Sequence, residues 1–296
     1  VSTVLSLGNT VQTVGAIRLK DGIVRSGTLI ADSYDLEKGT VSAVLSGDAT
    51  LTKLATSTVV LSGSNTLTGL MDIRAGRLNV VGAGLLSSGS LQLSGTSVLD
   101  LGNTHQTVGT LRLVEGLVQA GTLSAGAFDL ESGTLGAILN GAGTLNKTTA
   151  GTVFLSAPNT LSGLLDIQAG RLKILDAGRL TSGTAQVSGF GAILDLGNSA
   201  QTVEVLRLVE GSVENGTLAA STFDLESGTV GARLSGVGVL TKTTAGLVRL
   251  EGANTVSGLM DVQAGRLAVS GAGKLSSGTV QITGNATVLD LGNTAQ

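Results

Sequence analysis

The sequence has 296 residues, of which 45 are glycine and 2% are aromatic, and it contains no tryptophan and no cysteine. Its core must therefore be built from Val, Leu, Ile and Ala, and a disulfide framework or a thiolate metal site is excluded. The net charge of -3 and the charged fraction of 13% give no electrostatic reason to expect nucleic acid as a partner. Long uncharged stretches such as Leu54 to Met71 are interrupted throughout by polar residues and glycine, so no membrane span is predicted.

The string Leu-Gly-Asn followed by Thr or Ser occurs four times, with separations of 94, 95 and 95 residues, starting at Leu7, Leu101, Leu196 and Leu291. Self-similarity at a fixed period is the signature of a repeat architecture. We predict a single continuous segment over 1–296, with repeats at 7–100, 101–195 and 196–290 and the start of a fourth at 291–296. Neither end shows a polar cap, which leads us to expect a segment of a longer array.

The first predicted strand surrounds Arg18, which lies between two apolar residues, as do its counterparts Arg112 and Arg207. Glycine follows shortly after each of them, and no window shows the 3.6-residue period of an amphipathic helix. The sequence therefore predicts an all-β chain.

The next strand contains Val59 and Leu61, which are apolar in every repeat. The position between them is variable, being occupied by Val60, Phe154 and Arg249. A site that accepts both Phe and Arg must face solvent while its neighbours face the core. The same pattern predicts a strand at Leu78–Val80, and a turn where the repeats differ in length by one residue, between Gly89 and Val98.

The glycines at 109, 121, 133 and 143 suggest a coil length, because alternate members lie about 22 to 24 residues apart. On that interpretation four coils make one repeat. With about 4.8 Å between hydrogen-bonded strands, each repeat would advance about 19 Å, and the whole chain would be a rod of about 12 coils, near 60 Å long.

Two segments resemble a known family. The runs Leu139–Lys147 and Ala150–Gly163 resemble the passenger-associated β-strand repeat of bacterial autotransporters and giant adhesins, and Leu99–Thr104 with Gln106–Val108 resembles another string of these passengers. The resemblance implies a right-handed parallel β-helix (β-solenoid) that is exported across the outer membrane of a Gram-negative bacterium. Lack of cysteine suits this export route, and the regularity of the long repeats favours a fibre or stalk.

A pair of carboxylates recurs in each repeat, at Asp35 and Glu37, Asp129 and Glu131, and Asp224 and Glu226. Two carboxylates two residues apart on a strand share a face at about 6.5 to 7 Å, which could suit glycoside hydrolysis or calcium binding. We favour a structural role, because the pair occurs three times in a chain without sugar-stacking Trp.

Other recurring residues have structural interpretations. We expect a local ion pair or a turn-stabilising side chain from Asp72, five positions before Arg77, and likewise from Asp166 with Arg171 and Asp261 with Arg266. We expect Asn65, Asn159 and Asn254 to relieve a tight turn through left-handed geometry or a bond to their own backbone. The aromatic position at Tyr34, Phe128 and Phe223 is interpreted as packing at a corner, and His105, which aligns with Val11 and Ala200, as exposed and without a metal or general-base role.

These patterns favour the structural repeat region of a secreted or surface-attached adhesin or fibre, acting as a stiff rod in adhesion, cell aggregation or biofilm. The alternatives are a polysaccharide-acting enzyme on a β-helix and a calcium-stiffened spacer. We predict no enzyme activity, no catalytic residue, no cofactor and no metal site. Expected partners are neighbouring repeats, other copies end to end, and cell-surface or matrix glycans or proteins. The expected location is the extracellular space or the outer-membrane surface of a Gram-negative bacterium.

Overall fold

The computed structural model describes residues 3–180, 183–275 and 278–293, and all regular structure among them is β-strand. The strands pair in parallel, as in a β-solenoid. The predicted fold class is therefore confirmed, while the right-handed sense of the helix stays a prediction. No helix of the described residues has the length and hydropathy needed to cross a membrane. The chain divides into two compact units, residues 1–143 and 144–296, and the prediction of one continuous segment is untested.

The first unit contains fifteen strands among its described residues. They are β1 Val4–Val14, β2 Ile17–Leu19, β3 Ile23–Ala31, β4 Ser33–Leu36, β5 Gly39–Val41, β6 Val44–Gly47, β7 Thr50–Lys53, β8 Thr58–Leu61, β9 Thr66–Leu67, β10 Met71–Ile73, β11 Arg77–Val80, β12 Ser90–Leu93, β13 Val98–Leu113, β14 Leu117–Leu130 and β15 Gly133–Gly141.

The second unit contains nineteen strands among its described residues. They are β16 Thr144–Lys147, β17 Thr152–Leu155, β18 Thr160–Leu161, β19 Leu165–Ile167, β20 Arg171–Ile174, β21 Thr184–Val187, β22 Ile193–Asp195, β23 Ala200–Leu208, β24 Ser212–Glu214, β25 Thr217–Leu225, β26 Gly228–Val230, β27 Arg233–Gly236, β28 Val239–Lys242, β29 Leu247–Leu250, β30 Thr255–Val256, β31 Leu259–Val262, β32 Arg266–Val269, β33 Thr279–Ile282 and β34 Val288–Asp290.

The strand register gives the length of a coil. In the first unit, five successive register steps have lengths of 17, 20, 19, 21 and 19 residues, and they join Ile23, Thr40, Val60, Asn79, Asp100 and Gln119. Five steps span about one repeat, so a repeat holds five coils and advances about 24 Å. The prediction of four coils of 22 to 24 residues was therefore wrong, and the chain forms about 15 turns instead of about 12.

Glycine spacing misled the coil count because each coil has more than one glycine corner. A Cβ added to Gly126 would lie 3.2 Å from the carbonyl oxygen of Gly109, and one added to Gly133 would lie 2.6 Å from that of Gly116. Gly109 and Gly126 thus stack in one column, and Gly116 and Gly133 stack in another. The interval between Gly109 and Gly133 joins two different corners, so it does not measure a coil.

The inward and outward positions follow the predicted period of two. Val59 and Leu61 are fully buried, whereas Val60 between them is half-buried. In the last repeat Val248 and Leu250 are likewise buried, and Arg249 is exposed. Each coil thus adds its apolar side chains to the core of its own unit.

The turns explain two further sequence features. The one-residue difference in repeat length falls in the turn between β12 and β13, at residues 94–97, against 188–192 between β21 and β22, as predicted. The recurring Leu-Gly-Asn string forms a tight corner, because Gly102 (φ 56°) and Asn103 (φ 59°) are both left-handed. Left-handed Asn lies in this string, at Asn9, Asn103 and Asn198, and also at Asn215, but not at Asn65, Asn159 or Asn254, where it was predicted.

Candidate functional site

The recurring Asp and Glu pairs hold arginines of the preceding coil. Glu37 lies 2.7 Å from the Arg18 guanidinium, and the same pair recurs at 2.8 Å as Arg112 with Glu131 and Arg207 with Glu226. In each repeat the Glu lies one residue after its strand ends, beyond Leu36, Leu130 and Leu225. In the last repeat Asp224 also lies 3.6 Å from the Arg207 guanidinium. These pairs are partly exposed, so each contributes about 0.2–1 kcal/mol.

A second set of recurring arginines does not form the predicted ion pair with the aspartate five positions earlier. These are Arg77, Arg171 and Arg266. Arg77 bonds Asp100 on the next coil, and not Asp72, whose partner is Arg74 at 2.6 Å. The later repeats show the same inter-coil pairing, with Arg171 lying 2.6 Å from Asp195 and Arg266 bonding Asp290. The local prediction was wrong because adjacent coils bring residues more than 20 positions apart into direct contact.

The aspartates that pair with these arginines accept hydrogen bonds from several protein donors. Burial by itself favours the neutral form of Asp195, yet its pKa lies below the ordinary value because hydrogen-bond donors surround the carboxylate. Those donors are Asn215, the Gly197 amide, Lys173 and Arg171. Asp100 is similar, with a lowered pKa despite its burial. One side chain thus joins the Leu-Gly-Asn corner to the coil on either side.

The recurring Asn residues bridge three coils. The Asn65 side-chain oxygen accepts from the Leu45 N–H at 2.9 Å, and its amide nitrogen donates to the Leu85 carbonyl at 2.8 Å. In the last repeat Asn254 makes the same two bonds, to the Leu234 N–H at 2.9 Å and to the Lys274 carbonyl at 3.2 Å. Both Asn side chains are buried. The predicted bond to their own backbone was therefore wrong, and the side chains serve their neighbours instead.

The Gln of the Gln-Thr-Val string extends this bridging. Gln106 accepts from the Leu86 N–H at 2.8 Å and donates to the Gly84 carbonyl at 3.0 Å. Gln201 does the same with Leu180 at 2.9 Å and Gly178 at 3.0 Å. The sequence shows the recurrence of this Gln but not its role, because its partners lie 20 or more residues away.

Three lysines are fully buried, one in each repeat, and sequence reasoning missed them: Lys53, Lys147 and Lys242. Their ammonium groups donate to backbone carbonyls at a corner and on the following coil. Lys242 bonds the Thr244 carbonyl, and lies 3.2 Å from the Ala264 carbonyl. Burial lowers the pKa of Lys242, and the field of Glu226 opposes this shift. The signal that could have found them is a Lys at a strand position where period two predicts an inward side chain.

The remaining candidates differ in burial. Tyr34, Phe128 and Phe223 are fully buried, which confirms packing. His105 is exposed, as predicted. Within the described part of the chain, no group of three or more His, Asp or Glu residues could hold a metal ion. The structure therefore assigns the recurring polar residues to contacts between coils.

Removal of the Asn65 bridge should destabilise the fold. Asn65→Ala leaves a buried N–H at Leu45 and a partly buried carbonyl at Leu85 without partners, at a cost of about 1–3 kcal/mol in free energy of unfolding. The half-buried Asn79, which makes no inter-coil bridge, is the matched control, and Asn79→Ala should cost less than about 0.5 kcal/mol. Urea titration measures both, and equal effects would contradict the bridging role.

The buried lysine should make stability depend on pH. Since the pKa of Lys242 is lowered from 10.5 in the folded state, the unfolded chain binds more protons between the lowered value and 10.5, and stability rises with pH in that window. Lys242→Met removes this contribution. The stability difference between wild type and variant, measured by thermal unfolding from pH 8 to 10.5, should therefore shift in favour of wild type as pH rises. Lys20→Met, at an exposed site, controls for the loss of a lysine charge, and a constant difference for Lys242→Met would refute the shift.

Comparison with known proteins agrees with this repeat organisation. A family model described as passenger-associated-transport-repeat matches residues 51–80, 145–174 and 240–269. Each match begins on the strand of the buried Lys, ends on the strand that begins with the inter-coil Arg, and includes the bridging Asn.

A curated relative extends the similarity. The adhesin BmaC autotransporter of Brucella suis biovar 1 (strain 1330) is 30% identical over 206 residues, which are 68% of this chain but 5% of the relative. The chain thus spans a small part of the length of that protein. No solved structure matches the chain. The chain is a β-solenoid that carries three passenger-associated-transport-repeats of the autotransporter type, as its sequence predicted.

Proposed function

We propose that the chain is a stiff, repetitive stalk of a bacterial surface adhesin, which holds binding surfaces at a distance from the cell. The observation that carries this proposal is the use of the recurring polar residues between coils. In each repeat the bridging Asn, the buried Lys and the inter-coil Arg join one coil to the next. Such bonds resist bending and separation of the coils, which is what a stalk requires.

The comparisons support the adhesin part of this proposal. The curated relative is an adhesin and an autotransporter, and the matched family consists of repeats associated with passengers. These similarities support the proposal that the chain lies on the surface of a Gram-negative bacterium or in the extracellular space. Roles in cell aggregation or biofilm follow from the same proposal, since many like coils sum weak contacts along one rod.

The Glu residues of the recurring carboxylate pairs form ion pairs between coils. Glu37, Glu131 and Glu226 are held by arginines of the preceding coil, so each is already engaged in an ion pair. This use favours a non-enzymatic role, and no geometry of the described residues favours calcium binding over it.

The stalk can be tested by changing its length in the gene that encodes the chain. In-frame deletion of residues 7–100 removes one repeat and joins equivalent positions, so the register of the remaining coils is kept. Attachment of the bacteria under flow should fall in the deletion strain. In a strain with the same repeat duplicated, attachment should be at or above the wild-type level. Antibody labelling of intact cells controls for equal surface display. Unchanged attachment at equal display, for both the deletion and the duplication, would contradict the proposal.

A further inference from the structure

One aromatic side chain stands out from the surface of the second unit. Phe190 is 90% exposed, at the tip of a turn that the Ala192 N–H closes by donating to the Gly189 carbonyl at 2.9 Å. A Cβ added to Gly189 would lie 1.6 Å from the Gln168 carbonyl oxygen, so only glycine allows the turn to lie this close to the preceding coil. The backbone that presents the ring is therefore fixed.

The fold does not require this ring. The corresponding turns of the other repeats, residues 94–97 and 283–287, carry Thr96 and Asn285 near the tip and no aromatic residue. Burial of the ring would contribute to stability, and this position forgoes that contribution. Because the fold does not use the ring, it is available for contact with a molecule outside the chain.

Phe190 borders a groove of about 450 Å³. Part of its floor is bare backbone, because Gly228 (φ +116°) lies so close to Gly211 that an added Cβ would be 2.4 Å from the Gly211 carbonyl oxygen. The polar and apolar side chains that line the rest are Glu210, Ser212, Ser227, Thr229, Leu247 and Arg249.

The groove runs along the coils. Ile193, beside the Phe190 turn, pairs with Ser212, Ser212 pairs with Thr229, and Thr229 pairs with Arg249. These three steps advance about 14 Å along the stack from the backbone of Ile193 to that of Arg249. An elongated ligand could therefore contact both the Phe190 turn and Arg249.

The charged groups of the groove are free to bind a ligand. Among the described residues, neither Arg249 nor Glu210 has an ion-pair partner, although seven other arginines do. A second groove, which shares Ser212 and Thr229, adds Glu251, also without an ion partner. The two grooves thus carry two carboxylates, Glu210 and Glu251, and one guanidinium without an ion-pair partner, so the surface does not attract anions.

We propose that this groove binds a short neutral oligosaccharide. The C–H face of a pyranose stacks on an exposed aromatic ring, and sugar hydroxyls donate to carboxylates such as Glu210 and accept from a guanidinium such as that of Arg249. A saccharide combines an apolar face with many hydroxyls, which matches one ring among polar groups. A protein partner is disfavoured, because one aromatic side chain in a shallow groove falls far short of the roughly 1,000 Å² of a specific protein interface.

The groove adds a ligand class to the proposed function, and its role in adhesion rests on that function. The excess of carboxylates excludes acidic polysaccharides as the preferred ligand. The groove lies outside residues 7–100, so deleting that repeat leaves it intact.

The test is isothermal titration of the purified chain with cellotetraose, chitotetraose and maltotetraose, and with tetragalacturonate as an acidic comparison. At least one neutral tetrasaccharide should bind saturably and more tightly than tetragalacturonate. Phe190→Ala should weaken that binding about fivefold to tenfold, and Glu210→Gln should weaken it severalfold. The matched control is Val237→Ala, at an apolar site that is 84% exposed and outside the groove, and it should change the affinity less than twofold.

The melting temperature separates a binding defect from unfolding. Phe190→Ala should have the same melting temperature as wild type, because the Phe190 side chain makes few contacts with the rest of the chain. Binding of no neutral tetrasaccharide, unchanged affinity in Phe190→Ala, or tighter binding of tetragalacturonate would each overturn the proposal. None of these results bears on attachment after repeat deletion, so the site and the stalk can fail separately.

Discussion

Each coil of this protein leaves buried N–H and carbonyl groups at its corners, where the strand ladder is interrupted. A coil of 17 to 21 residues cannot satisfy these groups internally, and an unpaired buried group costs about 1–3 kcal/mol. The side chains of neighbouring coils supply the missing partners. Asn65 serves the coils on both of its sides, and Gln106 serves the preceding coil. The apolar core gives the stack its driving force, whereas these polar bridges fix how one coil sits on the next.

The same requirement explains why lysine is tolerated in the core. Burial of an ammonium group is costly unless hydrogen-bond acceptors surround it. The Lys53 ammonium donates to the Ala55 carbonyl at the corner that follows it. It also lies 3.2 Å from the Ala75 carbonyl of the next coil. The lysine thus satisfies carbonyls that the strand ladder leaves open, and burial lowers its pKa in return. Repetition of this arrangement makes the joint between coils the recurring structural unit of the chain.

The sequence predicted what depends on local pattern. Alternation of apolar and variable positions placed Val59 and Leu61 inward and Val60 outward, and three internal copies located the turn of variable length. It could not predict partners that lie one coil away, such as Asp100 for Arg77, because coil length was misjudged from glycine spacing. The roles of Asn65 and Lys53 also depend on which backbone groups the neighbouring coil presents. Phe190 escaped notice because its exposure depends on how the turn that carries it lies on the coil beneath.

Five coils, joined by these bridges, make one repeat. Cryo-electron microscopy of the purified protein can measure the axial advance of each 94- or 95-residue repeat. We expect about 24 Å per repeat at about 4.8 Å per coil, with density joining Asn65 to the coils on both sides. An advance of about 19 Å, or an Asn65 side chain turned to its own backbone, would contradict this arrangement.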